Sequence, residues 1–118
     1  MSVIDVSGVR VLDLPLEGPP LGTEQDALDV IGGTFGQEID VVAIPAGRLH
    51  PDFLLLRTGM AGAFLQKMQN YRYRTAIVGD IAAAIAASDA LRDFVRESNR
   101  VGQVLFVRDA AELALRLG

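Results

Sequence analysis

A hydroxyl group and a glycine stand directly before a segment whose apolar side chains have helical spacing. Thr58 and Gly59 precede residues 60–68, in which Phe64 and Met68 are among the side chains of one helix face. Such a hydroxyl group could help to bind an anion or could accept a phosphate group, because a helix start favours negative charge. It could also cap the helix by accepting a backbone hydrogen bond. Capping alone explains the hydroxyl group, so the sequence favours it over the two ligand roles.

Three further residues could take part in ligand chemistry. Gly79 and Asp80 follow an apolar run, and a carboxylate there could bind a metal ion, a ribose hydroxyl group or a basic group. Asp80 could equally cap the next segment, with Gly79 supplying an unusual backbone angle, and the sequence leaves both interpretations open. His50 is the only histidine, which excludes a zinc site with several histidines. It stands beside Pro51 and is interpreted as a loop residue, with general-base chemistry as the alternative.

A second polar group comes from the ends of two helical segments. Tyrosine and arginine are favoured anchors at protein interfaces, so these residues are candidates for docking a partner. They are Tyr71, Arg72, Glu97, Asn99 and Arg100. Asparagine tolerates the left-handed conformation that ends many helices, and Asn70 and Asn99 are therefore expected to cap their helices.

These residues must be positioned by alternating strands and helices. Residues 3–6 and 9–14 flank Ser7-Gly8, a two-residue turn that predicts an N-terminal β-hairpin. Three short apolar runs predict buried strands at 40–44, 75–79 and 104–107. Helical patterns separate and follow these runs, and crossover helices imply a mostly parallel sheet. The sequence predicts a single small α/β domain.

Capping side chains mark where three of the helices should begin. They are Thr23 with Asp26, Ser88, and Asp109 with Glu112. The first of these helices should direct Leu28, Ile31 and Phe35 inward, although Gly32-Gly33 weakens it or ends it early. Gly62, in the helix after Thr58, should let that helix lie close to the sheet.

Composition excludes several classes of protein. The chain has 118 residues, no cysteine and a net charge of −4. Thiol nucleophiles, disulfides and thiolate metal sites are excluded, and we expect a reducing cytoplasm. The acidic balance is unlike that of nucleic-acid-binding proteins, which cluster lysine and arginine. Residues 1–10 carry no signal-peptide pattern, and no run reaches the ~20 apolar residues of a membrane span. No metal and no cofactor is indicated.

Two segments resemble an uncharacterised bacterial family, domain of unknown function 4180. They are RTGMAGAFLQKMQNYRYRTAIVGD at 57–80 and ALRDFVRESNRVGQVLFV at 90–107. The elements Thr-Gly-x-Ala-Gly, Ile-Val-Gly-Asp and Glu-Ser-Asn-Arg carry the resemblance, which covers nearly the whole chain. The resemblance implies no particular activity.

The order of strands and helices is also similar, more distantly, to that of STAS domains, the fold of anti-sigma-factor antagonists. In those domains a regulatory serine precedes a glycine at a helix start, within Asp-Ser-Ser-Gly-Leu. Thr58, Gly59 and Met60 would take the last three positions, while Leu56 and Arg57 replace the acidic residue and the first serine. The similarity implies a STAS-like fold, and it implies phosphorylation of Thr58 less directly because of these replacements.

Three hypotheses for the function follow. The leading one is a non-enzymatic regulatory or protein-interaction module, which binds a protein partner and could also form a homodimer. The second is a sensor of a small molecule or anion at Thr58, Gly59, Gly79, Asp80 and His50. An enzyme ranks last, because no set of catalytic residues assembles in the sequence.

Overall fold

The order of strands and helices agrees with the sequence prediction. A computed structural model describes residues 2–118. The strands are β1 (Ser2–Val6), β2 (Val9–Asp13), β3 (Val41–Pro45), β4 (Arg74–Val78) and β5 (Val104–Val107). The α-helices are α1 (Glu24–Gly32), α2 (Met60–Asn70), α3 (Ala82–Ala86), α4 (Asp89–Val101) and α5 (Ala110–Leu117). Two short 3-10 turns, Ala46–Arg48 and Leu56–Thr58, lie between β3 and α2.

The five strands form one sheet in chain order, β1-β2-β3-β4-β5. β1 pairs with β2 antiparallel, and the remaining pairs are parallel. Each parallel connection steps to the next strand in the same direction, so right-handed crossovers place α1, α2 and α4 on one face. α5 packs on β4 and β5 from the other face. The predicted α/β fold, with a hairpin followed by a mostly parallel sheet, is confirmed.

Local chemistry determines where the chain turns and where the helices begin. Ser7 and Gly8 have φ angles of 52° and 81°, the left-handed conformation that a two-residue hairpin turn requires. The Thr23 hydroxyl accepts from the Asp26 N–H, and the Asp26 carboxylate accepts from the Thr23 N–H, which confirms this capping box. The side chains that cap α4 and α5 are Ser88 and Asp109.

Successive side chains of each strand point to opposite faces of the sheet, and this divides the core into two layers. The layer beneath α1, α2 and α4 includes Ile44, Phe53, Phe64, Met68 and Ile77. The layer beneath α5 includes Val11, Val41, Ala76, Leu105 and Leu113. Both faces of the central strands are covered, which explains why β3 and β4 are apolar at successive positions.

Two residues lie differently from the prediction. Phe35 is 79% exposed, because α1 ends at Gly32 and the helical phase that would carry Phe35 inward is lost. Gly62 lies inside α2 but is exposed, and a Cβ atom added to it would meet no other described residue within 4 Å. The small residue of α2 that lies in the core is its neighbour Ala61.

Two buried threonines differ in how their hydroxyl groups are bonded. The Thr34 hydroxyl donates to the Ile31 carbonyl oxygen at 2.6 Å and lies 2.6 Å from the Tyr73 hydroxyl, from which it accepts. The Thr75 hydroxyl, in β4, has no hydrogen-bond partner within the part of the chain that the structure describes. Its removal from water is therefore an uncompensated cost of folding.

We expect Thr75→Val to raise the free energy of unfolding by about 1 kcal/mol, because valine keeps the shape and removes the unpaired hydroxyl group. Thr34→Val, the matched control, should lower it by about 1–2 kcal/mol, because the hydroxyl of Tyr73 then loses its acceptor. Urea unfolding of the three proteins measures both changes. If the two substitutions destabilise the protein equally, the Thr75 hydroxyl is not the unpaired group that the structure shows.

Candidate functional site

The start of α2 lies at the carboxyl edge of the sheet, where the parallel strands end. The Thr58 hydroxyl accepts from the Met60 N–H at 3.2 Å, which is the capping contact that the sequence favoured. The same hydroxyl donates to the Leu55 carbonyl oxygen at 2.8 Å. Gly59 has a φ of 75°, where a side chain would be strained. Both residues therefore shape the turn into α2, and their binding of an anion or phosphate stays a prediction.

Gly79 and Asp80, at the end of β4, also have local structural roles. Gly79 has a φ of 152°, and a Cβ atom added to it would lie 2.7 Å from the Cβ atom of Ala46. The Asp80 carboxylate accepts from the Ala82 N–H at 2.9 Å, at the start of α3. Any larger residue at position 79 would push the ends of β3 and β4 apart. A substitution of Gly79 would therefore disturb the packing of the sheet, whether or not the residue binds a ligand.

The ligand residues predicted from the sequence do not form one site. Gly79 and Asp80 line a cavity of about 190 Å³ with Arg108, beneath α3 and beside the end of β5. Thr58 is not part of its lining. His50 is bonded within its own loop, where its Nδ1 atom accepts a backbone N–H at 3.0 Å. Within residues 2–118, no three acidic or histidine side chains come together as a metal-binding group.

A larger cavity, of about 420 Å³, lies beside the loop between β2 and α1. Arg48 holds this loop, because its guanidinium donates to the carbonyl oxygens of Pro19 at 2.8 Å and Pro15 at 3.0 Å. A Cβ atom added to Gly18 would lie 2.5 Å from the Arg48 Cζ atom. Sequence reasoning missed this contact. The available signal was a loop rich in proline and glycine after β2, with an arginine after the neighbouring strand.

Asp26 also lines this larger cavity. Partial burial alone would raise the pKa of its carboxyl group, but hydrogen bonds from the N–H groups of Thr23 and Gly22 and from the Thr23 hydroxyl outweigh burial and lower it. The nearby His50 lowers the pKa of Asp26 further. The cap of α1 is therefore stronger when Asp26 is ionised.

The end of α2 lies at the opposite edge of the sheet. Arg72, with a φ of 67°, takes the left-handed conformation that was expected of Asn70. Its N–H donates to the Gln69 carbonyl oxygen at 2.8 Å. Asn70 is the last residue of α2 and its side chain accepts from Gln66, so the predicted cap at Asn70 is wrong. Tyr71 is 52% exposed at this corner.

Asn99 joins α4 to the outer edge of β5. Its side-chain nitrogen donates to the Phe106 carbonyl oxygen at 3.2 Å, and its side-chain oxygen accepts from the Phe106 N–H at 2.8 Å. α4 continues to Val101 and ends at Gly102, which has a φ of 88°, so the predicted cap at Asn99 is also wrong. The Asn99 carbonyl oxygen accepts from Arg116 of α5. The amide group of Asn99 thus acts within the chain.

A groove of about 340 Å³ separates α2 from α4, and we call it the α2–α4 groove. Its lining is Gly62, Leu65, Gln66, Gln69, Phe94, Glu97, Ser98, Val101, Gln103 and Val104. α2 packs closely on α1, whereas α4 packs on α3 and β5, and this difference leaves the gap. The groove contains one of the predicted docking residues, Glu97, and none of the predicted ligand residues.

Glu97 and Arg100 form a two-point ion pair on the rim of the groove. The Arg100 Nε atom lies 3.0 Å from one carboxylate oxygen, and its Nη2 atom contacts the other. The hydrogen bond from Arg100 lowers the pKa of the Glu97 carboxyl group and raises the pKa of the guanidinium. The negative charge of Glu97 is therefore balanced by Arg100 of the same helix.

Comparison with known proteins identifies the family. The model of the family described as "domain of unknown function (DUF4180)" matches residues 6–117. The chain belongs to this family. No curated protein and no solved structure matches the chain. The similarity to STAS domains stays a prediction. No helix within residues 2–118 is long and apolar enough to cross a membrane.

The lowered pKa of Asp26 predicts an acid-dependent loss of stability. A carboxyl group whose folded pKa lies below the ordinary 3.8 stabilises the fold above that pH. The contribution falls as the pH drops through the folded pKa. Asp26→Asn should lower the free energy of unfolding by about 1 kcal/mol near neutral pH, and the difference from wild type should shrink on acidification.

Urea unfolding at a series of pH values measures this difference. Asp29→Asn, one turn further along α1 and outside the cap, is the control and should leave most of the acid-dependent loss in place. The lowered pKa of Asp26 would be contradicted if the difference in the free energy of unfolding between wild type and Asp26→Asn stayed constant below pH 3.8.

Proposed function

We propose that this domain is a non-enzymatic regulatory module of the cytoplasm, and that it binds a protein partner in the α2–α4 groove. The observation that carries the proposal is Gly62. A glycine inside a helix costs about 1 kcal/mol relative to alanine. At Gly62 neither a positive φ nor a contact with any part of residues 2–118 requires glycine. Because Gly62 lines the groove, its missing side chain leaves room for the backbone of a partner.

The rest of the groove has the composition of a docking surface. Phe94 and the buried Leu65 are in its lining, and Val101 is 63% exposed at the end of α4. The amide groups of Gln66 and Gln69 line the wall formed by α2. An apolar centre with a polar rim is typical of protein interfaces.

The carboxyl edge supports the non-enzymatic part of the proposal. Thr58, Asp80 and His50 each bond to a nearby backbone group of the same loop or helix start. These contacts account for the three residue types without a substrate. The predicted similarity to STAS domains in the order of strands and helices agrees with a regulatory role but does not identify a partner.

Affinity capture with matched surface variants tests the docking surface. We expect Val101→Lys to reduce the captured partner by about tenfold or more, because a charged side chain then replaces exposed apolar surface in the groove. Leu115→Lys is the control, since Leu115 is 81% exposed in the last turn of α5 and lies outside the groove. The proposal is wrong if wild type and Val101→Lys capture the same proteins in equal amounts.

A second candidate function is a sensor of a small apolar amino acid, at the cavity of about 190 Å³. Asp80 and Arg108 line it with opposite charges, which suit an ammonium and a carboxylate group, and the ligand would take the place of the contact between Arg108 and Glu112 at 3.3 Å. Ile85, Val95 and Phe106 supply its apolar wall.

Thermal unfolding with free leucine or valine tests the second candidate. A bound amino acid should raise the melting temperature of wild type, and the rise should grow with the logarithm of the ligand concentration once this exceeds the dissociation constant. Arg108→Gln should abolish the rise, because the carboxylate of the ligand loses its partner. A melting temperature that no free amino acid changes would exclude this site.

A further inference from the structure

We infer that the cavity of about 420 Å³ beside the loop between β2 and α1 binds an aliphatic diamine, a molecule with two ammonium groups on an apolar stem. This cavity shares no lining residue with the α2–α4 groove. The inference therefore goes beyond the proposed function, because it assigns a small ligand to a second place on the chain. It rests on the walls of the cavity, on its net charge and on the separation of its carboxylates.

The cavity has an apolar floor and a charged rim. Leu14, Leu21 and Val30 line it, and all three side chains are buried. Glu17 and Asp29 also line it, and both are exposed. Small-molecule sites typically have volumes of about 300–1,000 Å³, mostly apolar walls and a few polar groups. A ligand that fits this cavity has an apolar body and carries its charges near the rim.

The lining of the cavity has a negative net charge. It includes the carboxylates of Glu17, Asp26 and Asp29 and one guanidinium, that of Arg48, which gives a net charge of −2. Within residues 2–118 none of these three carboxylates forms an ion pair, whereas the carboxylate of Glu97 is paired. The cavity thus holds half of the net charge of −4 of the whole chain, and this charge favours a cationic ligand.

The guanidinium of Arg48 is already used to hold the loop. Its Nε and Nη1 atoms donate to the carbonyl oxygens of Pro19 and Pro15. Gly18 lies against the same guanidinium, since a Cβ atom there would lie 2.5 Å from the Cζ atom of Arg48. The wall that the loop forms is therefore in place before a ligand binds, which lowers the free-energy cost of binding.

The carboxylates are not gathered around one point. No three acidic or histidine side chains in the described part of the chain come together as a metal-binding group. Asp26 and Asp29 are three residues apart on one face of α1, whereas Glu17 belongs to the preceding loop. Separate negative positions suit separate ammonium groups better than a single metal ion. The stem between the two ammonium groups can lie along the buried floor, as the stem of a lysine side chain lies along apolar surface.

Calorimetric titration of the full chain with cadaverine, an aliphatic diamine, tests the site. We expect saturable binding of one diamine per chain. Pentanediol has the same stem without charge and should not bind. Pentylamine has one ammonium group and should bind about tenfold more weakly than the diamine, because it meets only one of the two negative positions. All titrations are made at the same ionic strength, so that screening of the charges is equal in each.

Variants that each lose one charge locate the site. Asp29→Asn and Glu17→Gln should each weaken the binding of cadaverine about tenfold. Both residues lie outside the cap of α1, and Asp29→Asn keeps an oxygen atom that can accept from Gln25. Glu38→Gln is the matched control, since it changes the net charge of the chain equally and Glu38 is exposed and outside the lining. It should bind cadaverine as wild type does.

Three outcomes would overturn the inference. The first is that cadaverine at millimolar concentration does not bind to wild type. The second is that pentanediol or pentylamine binds as tightly as cadaverine, so that the two charges are not recognised. The third is that Glu38→Gln weakens binding as much as Asp29→Asn does, because the attraction would then come from the acidic chain as a whole. The capture experiment with Val101→Lys is independent of all three.

Discussion

The direction of the strand connections is the constraint on which the rest of the structure depends. From β2 to β5 each connection moves to the next strand on the same side, so right-handed crossovers gather α1, α2 and α4 on one face. The strand order never reverses among the parallel strands, so the sheet has no topological switch point. Polar residues at the carboxyl edge are therefore spread along it. The gap in the helical layer forms the α2–α4 groove, a further concave surface of this face.

Local signals in the sequence were sufficient for most of the fold. The Ser7-Gly8 turn, the capping box of Thr23 and the apolar strands depend on neighbouring residues only, and each was predicted. Phe35 was misplaced because helical spacing continues past Gly32 in the sequence while the helix does not. Gly62 was misread because periodicity tells which face of a helix is apolar, and it does not tell which neighbouring helix leaves the other face open.

The sites were less predictable, because they depend on contacts between distant segments. Arg48 reaches two carbonyl groups in a loop about thirty residues earlier in the chain. Asn99 was interpreted as a helix cap or a docking residue, yet its side chain bonds the backbone of Phe106. A single sequence states the hydrogen-bonding capacity of arginine or asparagine, and the tertiary fold decides which groups come within reach.

The bond between Asn99 and Phe106 also limits how this protein can assemble through its sheet. Since the Val107 carbonyl oxygen faces β4, the backbone groups of Phe106 face outward, and Asn99 occupies them in place of another strand. A strand that added at this edge would have to displace Asn99 from both backbone groups of Phe106, so one asparagine opposes edge-to-edge assembly through β5.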